Sequence, residues 1–394
     1  MKIMFVVSMF QGGGAERVAV TLANGFVAKG HHVFFATDKT RSDEPFVYPL
    51  ERSVKVVECF NYAPASSVLL LWMKRYMNIV YKICRAVHRY TKQHMRLRKT
   101  ILKEQPDVIL GILHAGSFPA FIASIGTGSI FIATEHNAFE RPLTAPMSRT
   151  DRFFKFTVNK LYKAVTVLTE ADKNYIGSRL KHVYVMPNPL AFNPIPVHEL
   201  SGNRKKQIVA AGRIYAWHVK GFDNLIRAWG KIADDCEGWV LNIAGEGTES
   251  SLNCLKQLAK ECRVEDTVVF SGFHSDMKSF YQESEIFVLS SRYEGFGMVL
   301  LEAMSQGCAC IACDYGGRQR EIIRNDKEGC CIEPDNVDQL SDAIHRMVMD
   351  DAYRQSVRYH GVLRSQAYST SNITDLWLAL FEKLKYPPRN NESY

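Results

Sequence analysis

Short apolar runs, each closed by a glycine-bearing turn and followed by residues at helical spacing, recur along this chain in two separate stretches. Lys2–Val7 leads into Phe10-Gln-Gly-Gly-Gly-Ala-Glu-Arg17, after which Val18, Leu22, Phe26 and Val27 repeat at helical spacing; Gly30-His-His ends that pattern and Val33–Ala36 is the next apolar run. The same order returns at Pro106–Leu113, Ser129–Ala133, Ala164–Leu168 and Val183–Met186. It returns again at Gln207–Ala211, Trp239–Ala244, Thr267–Phe270, Ile286–Leu289 and Cys308–Cys313. Near-continuous apolar runs read as strands of parallel sheets covered on both faces, because strand–turn–helix repetition requires crossovers. The expectation is α/β, with one doubly wound domain over residues 1–190 and a second over 205–370. Pro187-Asn-Pro189 ends the first, a polar linker follows, and 394 residues suffice for two cores.

The most informative stretch is Ser290-Ser-Arg-Tyr-Glu-Gly-Phe-Gly-Met-Val-Leu-Leu-Glu-Ala-Met-Ser-Gln-Gly307. It reads as a strand end, a turn with Gly295 and Gly297, and a helix starting near Gly297. The first N–H groups of a helix lack internal partners and its dipole favours an anion there. Glycines without Cβ atoms let the anion come close, so the stretch suits a phosphate-sized ligand. Glu294 in the turn and Glu302 two helical turns later would repel phosphate oxygens but suit hydroxyls on either side of them. A turn residue and a solvated helix residue would satisfy the same spacing.

This stretch resembles the E-x7-E signature of the retaining, metal-independent GT-B glycosyltransferases, in particular family 4. The resemblance implies two Rossmann-like domains facing across a cleft. It implies Glu294 on the donor sugar, Glu302 on the ribose hydroxyls, and the turn Gly295-Phe296-Gly297 with the amides of Met298 and Val299 on the diphosphate. Other matches carry it along nearly the whole chain. Gly13, Gly14, Glu16 and Arg17 resemble the G-G-x-E-R start of the first domain, a loop that faces the cleft; a plain tight turn is the other reading of those glycines. Gly212-Arg213…Lys220-Gly221 resembles a G-R-…-K-G element that binds diphosphate, with Tyr215-Ala-Trp-His218 lengthening the loop. Asp314-Tyr-Gly-Gly317…Glu321 also matches, with one residue more than is common. Gly245 and Gly272 end two further strands on the donor side. His114 and His136 both follow strands, where ligands of doubly wound sheets bind; each is also readable as a hydrogen-bonded loop histidine. The resemblance favours His136 as a donor-sugar contact, with Arg141 beside it as a phosphate partner. It also implies that the last helix, 373–394, crosses back onto the first domain.

Composition narrows the rest. Residues 59–103 contain no Asp or Glu and ten Lys and Arg, more than the whole net charge of +8, so nucleic acid is not an expected partner. Leu69, Met73, Tyr76, Val80, Ile83, Val87, Tyr90, His94, Leu97 and Ile101 form one helical stripe through that segment. Its basic surface, 74–103, is expected to dock on an anionic membrane surface. No apolar run approaches the ~20 residues of a span, and no cleavable leader follows Met1. The expected location is the cytoplasm, with peripheral attachment to the inner face of its membrane. Ten cysteines in mostly apolar runs read as reduced core residues, Cys310-Ile-Ala-Cys313 included.

The expected activity is transfer of a hexose or N-acetylhexosamine from a nucleotide sugar, uridine diphosphate in type. The expected acceptor is a hydroxyl of a glycan or lipid-linked saccharide in surface polysaccharide synthesis. Glu294, Arg213, Lys220 and His136 carry the chemistry in this reading. No cofactor and no metal are expected, the cations standing where Mg²⁺ often does. A nucleotide-sugar epimerase and a non-catalytic binding module of the same fold are the alternatives.

Overall fold

The computed structural model describes residues 1–7, 13–38, 48–60, 94–142, 146–202 and 204–386. Among the described residues the first domain has seven parallel strands: β1 (Lys2–Val6), β2 (His32–Asp38), β3 (Lys55–Phe60), β4 (Val108–Ile112), β5 (Ile130–Thr134), β6 (Val165–Val167) and β7 (Val183–Val185). Their order is β3-β2-β1-β4-β5-β6-β7. The second domain has six: β8 (Lys205–Ala211), β9 (Val240–Ala244), β10 (Val268–Gly272), β11 (Ser284–Leu289), β12 (Ala309–Cys313) and β13 (Cys330–Ile332), in the order β10-β9-β8-β11-β12-β13. In both sheets the order reverses beside the first strand, which is where doubly wound folds open a crevice at the strand tips.

β3 carried no signal in the sequence, because its charged Lys55 and Glu58 interrupt the apolar pattern of an edge strand. The stripe between 66 and 103 is visible only at its end. A helix over 94–104 buries Leu97 and Ile101 against Met4, Val6 and Cys59, and the earlier residues lie outside the described ones. Arg98 does not belong to a free basic face: it donates to the carbonyls of Ala123 and Ile125 at the end of the helix Leu113–Ser124. Arg96, Lys99 and Lys103 are exposed. No helix among the described residues is long and apolar enough to cross a membrane.

Cys310 and Cys313 sit three apart on β12, so their sulfurs leave opposite faces of the sheet and enter different cores. The pair cannot share an ion. The linker is anchored: Ile195 N–H donates to Ser305, and Arg358 donates to Leu200. The final helix, Thr370–Lys385, lies on the helix Gly14–Ala28 of the first domain, with Phe381 against Phe26 at 5.6 Å and Thr374 against Gly25.

Candidate functional site

The chain leaves β11 at Leu289 and turns through Ser290–Gly297 into the helix Met298–Ser305. Gly297 makes the turn with φ +86°, a left-handed conformation that glycine adopts without a Cβ penalty. The helix is fixed from behind, since Leu300, Leu301 and Met304 are fully buried. Its first amides, those of Met298 and Val299, carry no backbone hydrogen bond among the described residues and present a positive dipole end to the cleft. Phe296 does not face a ligand: its ring is buried edge-on to Tyr368, 5.8 Å away, so only its backbone is left for the cleft.

Lys220 reaches this turn from the neighbouring strand. After β8 the longer loop coils into the short helical turns Ile214–Ala216 and Trp217–Lys220, which absorb the extra residues. Arg292 then clamps that loop. It donates to His218 O, pairs with both oxygens of Asp223 and with Asp335, while its own N–H donates to Val219 O. Gly221 passes so close to Ser290 that a Cβ would sit 1.9 Å from its carbonyl oxygen. The result is a 2.7 Å ion pair between Lys220 Nζ and Glu294 Oε2, mostly shielded from water. The side chain of Arg213, at the tip of the same strand, is exposed and lies over Tyr215. Gly212, Gly245 and Gly272 stack at the tips of β8, β9 and β10, with Gly245 N–H donating to Gly272 O and no room for a Cβ between Gly245 and Gly212.

The first domain supplies the opposing wall. His136 follows β5; its Nε2 is 3.1 Å from Thr134 Oγ1 and its Nδ1 is 3.3 Å from Asn188 Oδ1. Desolvation lowers its pKa to about 4, so the ring is neutral at pH 7. The loop it starts abuts the other domain: Ala138 N would lie 3.4 Å from a Cβ on Gly295. His114 is elsewhere, stacked on Phe154 with Asp151 at 3.7 Å. Gly13 N–H donates to Glu16 Oε2 as the cap of the helix Gly14–Ala28, so the amide of one of the two glycines of this cleft-facing loop is engaged within the loop itself.

Three contacts across the cleft had no local signal in the sequence. Arg17 forms an ion pair with Glu302, whose carboxyl is buried rather than solvated. Arg318, fully buried, donates to Asp172 Oδ1 at 2.8 Å and to Glu140 at 3.3 Å. Glu321 accepts from the N–H groups of Glu170 and Ala171, the first residues of the helix Glu170–Ile176. Buried polar atoms without a partner include Ser291 Oγ in the turn, Gln319 Nε2, 3.8 Å from a Cβ on Gly297, and Arg141 Nε, on a guanidinium stacked over Tyr293. Unsatisfied buried groups are rare in folded proteins.

Burial raises the Glu302 pKa to about 7 against the opposing pull of Arg17. Above pH 4.5 the unfolded chain loses this proton while the folded chain keeps it until about pH 7, so stability falls as pH rises through that window. Glu302→Gln removes the effect. Its stability relative to the parent should be unchanged at pH 4.5 and higher by roughly 3 kcal/mol at pH 8, read by denaturant melts at both values. An equal difference at both pH values would contradict the buried, proton-holding carboxyl.

Two parallel-sheet domains, closing on a helix N-terminus with a shielded ammonium beside it, define the GT-B class of group-transferring enzyme. Family models settle which one: residues 12–191 match "Glycosyltransferase Family 4" and residues 194–363 match "Glycosyl transferases group 1". Between them the two models span most of the chain, and the chain belongs to this glycosyltransferase family. It is 25% identical, over 98% of its length and 99% of the relative's, to the Campylobacter jejuni GalNAc-alpha-(1->4)-GalNAc-alpha-(1->3)-diNAcBac-PP-undecaprenol alpha-1,4-N-acetyl-D-galactosaminyltransferase. It is 25% identical, over 95% of its length and 97% of the relative's, to the amylovoran biosynthesis glycosyltransferase AmsD of Erwinia amylovora. Among solved structures, Anabaena Alr3699/HepE in complex with UDP-glucose superposes with a TM-score of 0.73 at 18% identity, covering 97% of this chain and all of that one. The sucrose-phosphate synthase of Thermosynechococcus elongatus superposes with a TM-score of 0.74 at 20% identity, over 98% of this chain and 99% of that one.

Proposed function

We propose that this enzyme transfers a hexose or N-acetylhexosamine from a uridine diphosphate sugar to a hydroxyl of a glycan or lipid-linked saccharide, with retention at the anomeric carbon. The observation that carries the reading is the Lys220–Glu294 pair at the mouth of the helix Met298–Ser305. Charge develops on the β-phosphate as the bond from the anomeric carbon to its oxygen breaks. The Lys220 ammonium and the amides of Met298 and Val299 meet that charge in a shielded place, as a preorganised oxyanion site does. The diphosphate takes the ammonium from Glu294, and the freed carboxylate accepts hydroxyls of the donor sugar. Neutral His136 supplies a hydrogen bond without a competing charge. Glu302 holds the ribose hydroxyls, exchanging Arg17 for them. The acceptor oxygen bonds to the anomeric carbon from the side the phosphate leaves, and its proton passes to the departing phosphate oxygen.

Acceptor class and setting follow the Campylobacter and Erwinia relatives, one acting on an undecaprenol-diphosphate-linked saccharide and one in amylovoran synthesis. The uridine base follows the UDP-glucose complex of the Anabaena protein. Docking of segment 74–103 on an anionic leaflet belongs to the same proposal; residues 74–93 lie outside the described ones.

A thermal-shift panel of nucleoside diphosphates and nucleotide sugars, each run with EDTA, tests the donor. At 100 times its dissociation constant a ligand adds about 2.7 kcal/mol, so uridine diphosphate should raise the melting temperature above its guanosine and adenosine counterparts, chelator or not. No shift with any of them, or transfer that stops when EDTA is added, overturns the reading.

A further inference from the structure

A second recess opens on the first-domain side of the cleft, a cavity of about 320 Å³ between the loop after β5 and the helices Arg149–Phe156 and Glu170–Ile176. Its lining includes Arg141, Arg152 and Arg179 together with Phe139, Phe156 and Tyr175. The guanidinium of Arg179 lies over Phe156 at 4.9 Å and over Tyr175 at 4.6 Å, and its Nε donates to Ile176 O. That of Arg141 lies over Tyr293 at 4.8 Å, one residue from Glu294, with its Nε buried and unpartnered. Stacking on rings holds a guanidinium flat and leaves its N–H edge for a planar oxyanion.

Among the described residues none of the three arginines has a carboxylate partner. The acids of this corner are already engaged: Glu140 and Asp172 hold Arg318, and Glu321 caps the helix Glu170–Ile176. Three cations and three aromatic rings, with no acid among the described lining residues, form a site for an anion attached to an apolar-faced body such as a sugar ring. We propose that this recess is a subsite for an oxyanion carried by the acceptor, a phosphoryl or a carboxylate group, and that it sets the acceptor hydroxyl against the turn at Glu294. The inference rests on the glycosyltransferase reading and names its acceptor chemistry: an acidic saccharide. Arg141 links the two sites through Tyr293, so an anion bound here orders the wall of the transfer site.

The test is calorimetric titration of the full chain, with the donor site saturated by uridine diphosphate, using three probes: inorganic pyrophosphate, methyl β-D-glucuronoside and the uncharged methyl β-D-glucoside. Pyrophosphate or the glucuronoside should bind and the glucoside should not. Arg152→Gln with Arg179→Gln should weaken anion binding at least tenfold, and Lys at both positions should restore part of it, since charge returns without the fork. Both side chains are exposed, so the melting temperature should stay where it was. Binding of pyrophosphate alone assigns the site to a phosphoryl group and of the glucuronoside alone to a carboxylate. Anion binding that survives the double substitution, or glucoside binding as well as glucuronoside, overturns the proposal. Failure of uridine diphosphate to bind would instead sink the donor assignment, while arginine-dependent anion binding would still stand.

Discussion

Lys220→Met should lower kcat for sugar transfer by several hundred-fold, the loss of about 3–4 kcal/mol expected when one preorganised charge donor is taken from a transition state. The affinity for uridine diphosphate should fall much less, because the ground-state diphosphate keeps the helix amides and its nucleoside contacts while only the transition state gathers charge beside Nζ. The split matters more than the size. A uniform weakening of binding and turnover would make Lys220 an anchor rather than a participant. Lys220→Arg should not rescue: the space over Gly212, where the Lys220 stem lies 3.3 Å from a would-be Cβ, fits a narrow aliphatic chain. Turnover within tenfold of the parent would remove the ammonium from the mechanism.

Arg318→Leu should destabilise the protein by about 3–5 kcal/mol, the scale measured when one partner of a buried ion pair is deleted. Asp172 is 1% exposed and would keep only its bonds from Phe139 N–H and Thr169 Oγ1–H, with its charge uncompensated. Adding Asp172→Asn to the same chain should recover a large part of the loss, which a cavity alone would not allow. The readout is a denaturant melt of the parent, both single variants and the pair, closed as a double-mutant cycle. Because Arg318 and Asp172 belong to different domains, the single variant should also melt in two steps, each domain losing the other's support. A single step at unchanged stability would show that the domains are held elsewhere.

Much of the architecture could be read locally. Strand periodicity, helix spacing and the glycines at strand tips act over a few residues, so β1, β2 and β4 to β12 were legible from apolar runs. β3 was not, since an edge strand with Lys55 and Glu58 looks like any mixed surface segment. The turn at Gly295 and Gly297 announced an anion site because backbone conformation there depends on the residue type itself. Where the Phe296 ring goes could not be read the same way: that depends on what packs behind it, and here Tyr368 does.

What the chain determines alone is the pair of parallel sheets and the helix N-terminus with Glu294 before it, because hydrogen bonds along the backbone and the spacing of apolar side chains specify them at short range. Only the folded molecule decides that Arg17 meets Glu302, 285 positions away, that Lys220 closes on Glu294, and that Arg141, Arg152 and Arg179 line one recess. Such pairings depend on how two domains dock, and charge acts through space with no period in the sequence to mark it.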